Sequence, residues 1–237
     1  MPKIRAVVFD CYSTLIEIKT DEHKDEIFDY LSLYLQYYGA KLDAEKLRLA
    51  LNLEKEQYLR AAKESYPEID LEFIFQNILK KEGVDNLFLA ESCCKLFRVL
   101  SRERFQLFPD SLPVLEKLQK NGYPIAVVSD AQKVFCREEG EMLGLMPFFS
   151  YVIMSTCLGF RKPDPRIFTI VCTLLGIPPE EVVYIGNDAE TDVKGSKGIG
   201  MQAILLDREG KPKNTEPRPD FYASNLWEAW NWVKSSS

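Results

Sequence analysis

The sequence predicts an α/β protein: a doubly wound, Rossmann-like parallel sheet with a helical cap domain inserted after its first strand. Two observations carry that reading. Short apolar runs at residues 4–9, 124–128, 151–154, 182–185 and 202–206 alternate with helical patterns, as a parallel sheet with helical crossovers requires. Between about residues 19 and 100 such runs vanish, and apolar residues return at helical spacing instead.

The first run is continuously apolar apart from Arg5 and stops at Asp10, the pattern of a strand buried on both faces. The insertion repeats Ile27, Leu31, Tyr34, Leu35 and Tyr38, then Leu71, Ile74, Phe75 and Ile78, then Leu89, Cys93, Leu96 and Phe97. Gly39 and Gly83 stand where helices should stop, and Asp43 and Asp70 where they should be capped. About four helices result, and a bundle is their expected packing. We therefore divide the chain into a core of residues 1–18 and 101–237 and a cap of residues 19–100, with joins near 16–20 and 99–104 acting as hinges. The tyrosines at 30, 34, 37 and 38 read as core packing rather than as a cavity wall. Residues 207–220 read as a solvated loop before a short last strand. The closing helix carries Trp227, Trp230 and Trp232, which suit packing against the sheet or a partner chain.

Composition narrows the function. The chain has 237 residues, enough for one main domain and a smaller insertion. A net charge of −6 provides no footprint for nucleic acid or an anionic membrane, and no stretch approaches a membrane span, so a small soluble substrate is expected. The first residues lack a signal-peptide pattern. Six cysteines without CxxC spacing signal neither a zinc site nor a disulfide framework, which suits a cytoplasmic setting. The one histidine, His23, lies in a charged segment and reads as a solvated residue, which argues against serine–histidine or cysteine–histidine catalysis. Oligomeric state is left open.

Residues able to do chemistry follow the strands, where open sheets place their ligands. Asp10 follows the first run in Asp10-Cys11-Tyr12-Ser13-Thr14-Leu15, either as a turn cap or as a nucleophile. Ser129 follows the second run and is suited to an anionic oxygen. In Gly159-Phe160-Arg161-Lys162-Pro163-Asp164-Pro165, Pro163 forces Lys162 out of helical conformation, and Asp164 and Pro165 read as helix cap and first residue. The fourth run leads into Asn187-Asp188-Ala189-Glu190-Thr191-Asp192, two of whose carboxylates lie four residues apart, either capping a helix or facing the crevice. Asp188 with Asp10 suits Mg2+, which takes one or two carboxylates, waters and a substrate phosphate.

At these residues the sequence resembles the haloacid dehalogenase-like hydrolase superfamily, and the insertion resembles its helical cap. The resemblance implies Asp10 as nucleophile, Ser129 as the oxyanion or phosphate contact, Lys162 as the charge-neutralising cation and Thr14 as support for the first loop. It implies Mg2+ held by Asp10, the Tyr12 backbone carbonyl and Asp188, with Asp192 linked to the metal through water. Tyr12 departs from the superfamily's phosphatases, which carry there a second aspartate serving as general acid and base. Asp-x-Tyr is similar instead to the 2-haloacid dehalogenases, which need no metal. Their distal Ser-x-Asn-x-x-Asp is matched here only as Asn187, Ala189 and Asp192, with the extra acid Asp188, and Asp130 stands where they carry Asn. The implied function is a Mg2+-dependent phosphatase acting on a small phosphorylated metabolite. The alternatives are a metal-free 2-haloacid dehalogenase and a catalytically weak fold that binds a phosphorylated ligand.

Overall fold

The computed structural model describes residues 3–210 and 216–236; of the segment read as a solvated loop, residues 211–215 lie outside the described residues.

Six strands form one parallel sheet. In chain order the strands are β1 (Ala6–Phe9), β2 (Ile16–Thr20), β3 (Arg102–Leu107), β4 (Ile125–Ser129), β5 (Tyr151–Met154), β6 (Val182–Gly186), β7 (Gln202–Leu206) and β8 (Phe221–Ala223). The sheet runs β5-β4-β1-β6-β7-β8, and every pair in it is parallel. The chain thus reverses its winding at β1, and a crevice opens beyond the carboxyl ends of the central strands. Five of the six strands coincide with the apolar runs, and β8 is the short last strand.

The sheet's two faces sort the side chains by parity. Val7, Phe9, Ile125, Val127, Val183 and Ile185 pack with helices α5 (Ser111–Lys120) and α9 (Leu226–Ser235). Ala6, Val8, Ala126, Val128, Val182 and Tyr184 pack instead with α7 (Pro165–Leu175). Both faces are dry, which is why these strands read as unbroken apolar runs. On α9, Trp230 is buried edge-on to Tyr123 and Trp232 stacks on Phe221, whereas Trp227 stays exposed.

The insertion builds its own core from α1 (Asp25–Tyr37), α2 (Ala44–Ala61), α3 (Leu71–Lys81) and α4 (Leu87–Ser101). Asp43 and Asp70 cap α2 and α3 by accepting from the Lys46 and Phe73 amides, and Gly39 and Gly83 take positive φ after α1 and α3. The tyrosine stripe corrects the expectation. Tyr30, Tyr37 and Tyr38 are exposed, because α1 buries Ile27, Phe28, Leu31 and Leu35 on another face. The two joins form an element that local patterning missed: β2 and β3 pair antiparallel, with Ile16 opposite Leu107.

The cap also docks away from these joins. Its loop between α2 and α3 meets the loops after β4 and β5 through Glu68 N to Gly159 O (3.1 Å), Arg161 N to Tyr66 O (2.9 Å) and Gln132 Nε2 to Ile69 O (2.7 Å). The cap therefore lies over the carboxyl edge of the sheet.

Candidate active site

Asp10 leaves β1 between two strands. Register places Phe9 opposite Val127 and Ile185, and the Asp10 amide donates to Ile185 O at 2.9 Å. The loop then curls back. Cys11 O accepts from the Leu15 and Ile16 amides, and the Ser13 amide donates to Ile16 O with Ser13 at φ 63°, a left-handed conformation uncommon for a residue with a side chain. This curl brings Thr14 Oγ1 to 3.2 Å from Asp10 Oδ2 and 3.2 Å from Asn187 Oδ1.

Lys162 reaches the same point from the loop before α7. Asp164 caps that helix by accepting from the Arg166 amide, Pro165 occupies its first position, and Asp130 Oδ1 accepts the Lys162 amide at 3.0 Å. The buried ammonium has three acceptors for its three N–H groups: Asp192 Oδ1 at 2.6 Å, Asp10 Oδ1 at 2.8 Å and the Tyr184 hydroxyl at 3.2 Å. Tyr184 OH itself donates to Val128 O at 2.9 Å.

Asp188 and Asp192 divide their work. Asp188 Oδ1 caps a π-helical turn over Ala189–Val193 by accepting the Glu190 and Thr191 amides, each at 2.8 Å. Asp192 is buried and accepts the Asp188 amide on Oδ2 at 3.0 Å while holding Lys162 with Oδ1. Gly186 is needed beside it, since a Cβ there would stand 2.3 Å from Asp192 Oδ2.

Ser129 ends β4 next to this cluster, fully buried, and its Oγ has no hydrogen-bond partner. An unpaired buried hydroxyl costs roughly 1–3 kcal/mol. It has the character of a group waiting for a ligand oxygen.

The electrostatics are lopsided. Burial pushes the Asp10 carboxyl up to about 6, with Lys162 pulling it down and Asp192 pushing it further up. Burial alone would lower the Lys162 ammonium, but Asp10 and Asp192 hold it well above its ordinary value. Asp10, Asp130 and Asp192 thus face one ammonium, an excess of negative charge that a cation would relieve.

Among the described residues no group of three or more His, Cys, Asp or Glu is placed to hold a metal by itself. Asp10 and Asp188 follow the neighbouring strands β1 and β6, and their carboxylates are hard oxygens with the charge Mg2+ prefers. The residues present fit that ion.

Tyr12 turns its side chain elsewhere. Its hydroxyl donates to Glu139 Oε2 at 2.5 Å, and burial, with Cys136 and Glu139 adding, holds it protonated far above the ordinary tyrosine range. Local patterns also missed Tyr184, Glu139 and the contact of Asn187 with Thr14. Tyr184 had a signal: a hydroxyl inside an otherwise apolar buried strand needs a partner.

Residues 4–200 match the haloacid dehalogenase-like hydrolase family. The phosphoserine phosphatase of Thermus thermophilus is 30% identical over 159 residues, 67% of this chain, and the chain spans 63% of that relative's length. The N-acylneuraminate-9-phosphatase of Mus musculus is 26% identical over 96% of this chain and 93% of its own. In three dimensions, a 2-haloacid dehalogenase of Pseudomonas syringae superposes with a TM-score of 0.77 at 24% identity, over 99% of both chains.

Proposed function

The chain belongs to the haloacid dehalogenase-like hydrolase family, and within it we propose a Mg2+-dependent phosphatase acting on a small phosphorylated metabolite. The observation that carries this reading is the unpartnered Ser129 hydroxyl, buried beside a carboxylate-rich crevice with one buried cation.

In this reading Asp10 attacks phosphorus, the bond to the leaving oxygen breaks, and the resulting acyl phosphate is hydrolysed by water. Thr14 fixes one oxygen of Asp10 and Lys162 the other, so the nucleophile is aimed before substrate arrives. Ser129 donates to a phosphoryl oxygen, and Lys162 balances the charge of the attacking carboxylate. Asp192 and Tyr184 hold the lysine and stay out of the chemistry. Asp10, the Tyr12 carbonyl and Asp188, with Asp192 behind them, would hold Mg2+, which when bound would supply the charge that lets an anionic nucleophile meet an anionic phosphate. With the Tyr12 hydroxyl given to Glu139, no acid stands at that position, so esters with good leaving groups are the better substrates.

One observation favours a second reading, metal-free 2-haloacid dehalogenation: Tyr12 stands where an acid would otherwise serve, and displacement of halide needs none. A panel of phosphate esters and 2-haloacids, followed for phosphate or halide with and without chelator, tests both. The proposal expects phosphate release that chelator stops and that Asp10→Asn abolishes. Chelator-resistant halide release overturns it, and binding of phosphate esters without release supports a binding-only role. Five of the six thiols are buried and all six are free, which supports a reducing, cytoplasmic setting.

A further inference from the structure

Cap, core and nucleophile loop meet on one carboxylate. Arg98 of α4 in the cap donates from Nε and Nη2 to Glu139 of core helix α6 (Lys133–Met142), both at 2.8 Å. Arg102, at the start of β3, stands 3.8 Å from the same carboxylate. The Tyr12 hydroxyl donates at 2.5 Å to Glu139 Oε2, the oxygen that also accepts Arg98 Nη2, and the Arg98 guanidinium lies 5.0 Å from the Tyr12 ring. Glu139 is only 4% exposed, so each partner matters: a buried charge stripped of one partner is strongly destabilised.

The position of this cluster is what gives it a consequence for the reaction. Tyr12 lies two residues from Asp10, inside the curl made by Cys11 O and by Ser13 at positive φ. A second cap–core ion pair, Lys95 to Glu138 at 2.7 Å, links the same two helices on the exposed side but touches no residue of that loop.

We propose that Glu139 is a positioning residue through which cap closure sets the nucleophile loop: Arg98 completes the carboxylate's partners when the cap lies over the core, and Glu139 then fixes Tyr12 and the turn carrying Asp10. The fork is geometric as well as electrostatic, since a planar guanidinium on two oxygens fixes angle and distance. Opening the cap withdraws Arg98, frees Tyr12 and relaxes the loop. The kinetic part of this inference rests on the hydrolase reading proposed above; the coupling itself does not.

Hydrogen exchange on the full chain without substrate tests the coupling. Arg98→Met and Glu139→Gln should speed exchange of the Ser13 and Leu15 amides, while Lys95→Met, which removes the neighbouring cap–core pair, should leave them unchanged. Arg98→Lys, which keeps the charge and loses the fork, should give an intermediate effect and guards against a Met variant that fails to fold. Unchanged exchange in both Arg98→Lys and Glu139→Gln, or an equal effect of Lys95→Met, overturns the proposal. On a hydrolysed ester, Tyr12→Phe and Arg98→Lys should each lower kcat by about 10-fold to 100-fold, the scale of a small misplacement of a reacting group, with KM little changed. The loss should be the same for aryl and alkyl phosphates, and the double variant no worse than the poorer single. A Tyr12→Phe loss confined to poor leaving groups would make Tyr12 a proton donor and overturn the positioning role. A chain that hydrolyses no ester, yet shows the exchange response, would fail only the phosphatase reading.

Discussion

The Lys162 ammonium stands 2.6 Å from Asp192 Oδ1, while the other oxygen of Asp192 accepts the Asp188 amide at 3.0 Å. One buried carboxylate therefore ties the lysine to the start of the distal turn, and the site behaves as a connected unit rather than as separate groups.

Lys162→Met should harm both folding and turnover. It leaves two buried carboxylates without their cation, a loss on the order of 3–5 kcal/mol for a buried pair. Turnover should fall by roughly 10²- to 10³-fold, as when a preorganised electrostatic group is removed. Denaturant unfolding and steady-state rates read the two effects separately, and a stable variant with undiminished turnover would place the lysine outside the reaction.

Ser129→Ala should do the opposite to stability. Its hydroxyl is buried without a partner, so its removal should leave the fold unchanged or stabilise it by up to about 1–3 kcal/mol. Turnover should still drop by about 10²-fold or more if the hydroxyl serves a phosphoryl oxygen. A destabilised Ser129→Ala with normal rates would show that the hydroxyl serves the fold.

Gly186→Ala should disable the site from within a strand. The added methyl would stand 2.3 Å from Asp192 Oδ2 and 2.8 Å from its Cβ, so Asp192 must give up Lys162 or the Asp188 amide. Overpacking of this kind costs about 1–3 kcal/mol. Melting temperature and kcat should fall together, and a variant with native values in both would show that the turn absorbs the methyl.

Docking of the α2–α3 loop should weaken as pH rises. Burial raises the Glu68 carboxyl, with the Ser155 hydroxyl, 2.6 Å away, opposing and Asp130 adding to the rise. The folded state then holds this proton more tightly than the unfolded chain. Stability from Glu68 is full below the ordinary glutamate pKa and declines as pH climbs through that value to the folded one. Exchange protection of the Glu68 and Arg161 amides, corrected for intrinsic rate, should follow this decline, and Glu68→Gln should flatten it.

What could be read before folding was whatever depends on neighbours in the chain. Four of the five apolar runs became strands buried along their whole length, because burial on both faces demands unbroken apolarity, while the fifth became the edge strand β5; Asp43, Asp70 and Asp164 became caps because capping needs only the next few amides. The β2–β3 ribbon escaped notice because its charged sequences, Ile-Glu-Ile-Lys-Thr and Arg-Glu-Arg-Phe-Gln-Leu, pair across the whole cap. The tyrosine stripe misled for a related reason: helical spacing shows that a face exists and not which face the bundle covers.

The sequence by itself determined the parallel α/β core, the helical insertion and the placing of Asp10, Ser129, Lys162 and Asp188 each at or after the carboxyl end of a different strand. Covalent order and sheet parity carry such residues to one edge. Only the tertiary structure decided how they are used: that Asp192 and Tyr184 hold the lysine, that Ser129 has no partner, and that the Tyr12 hydroxyl turns to Glu139. Those outcomes rest on contacts between residues up to 127 positions apart, as for Tyr12 and Glu139, and on which groups burial deprives of water. Neither is a property of a local segment.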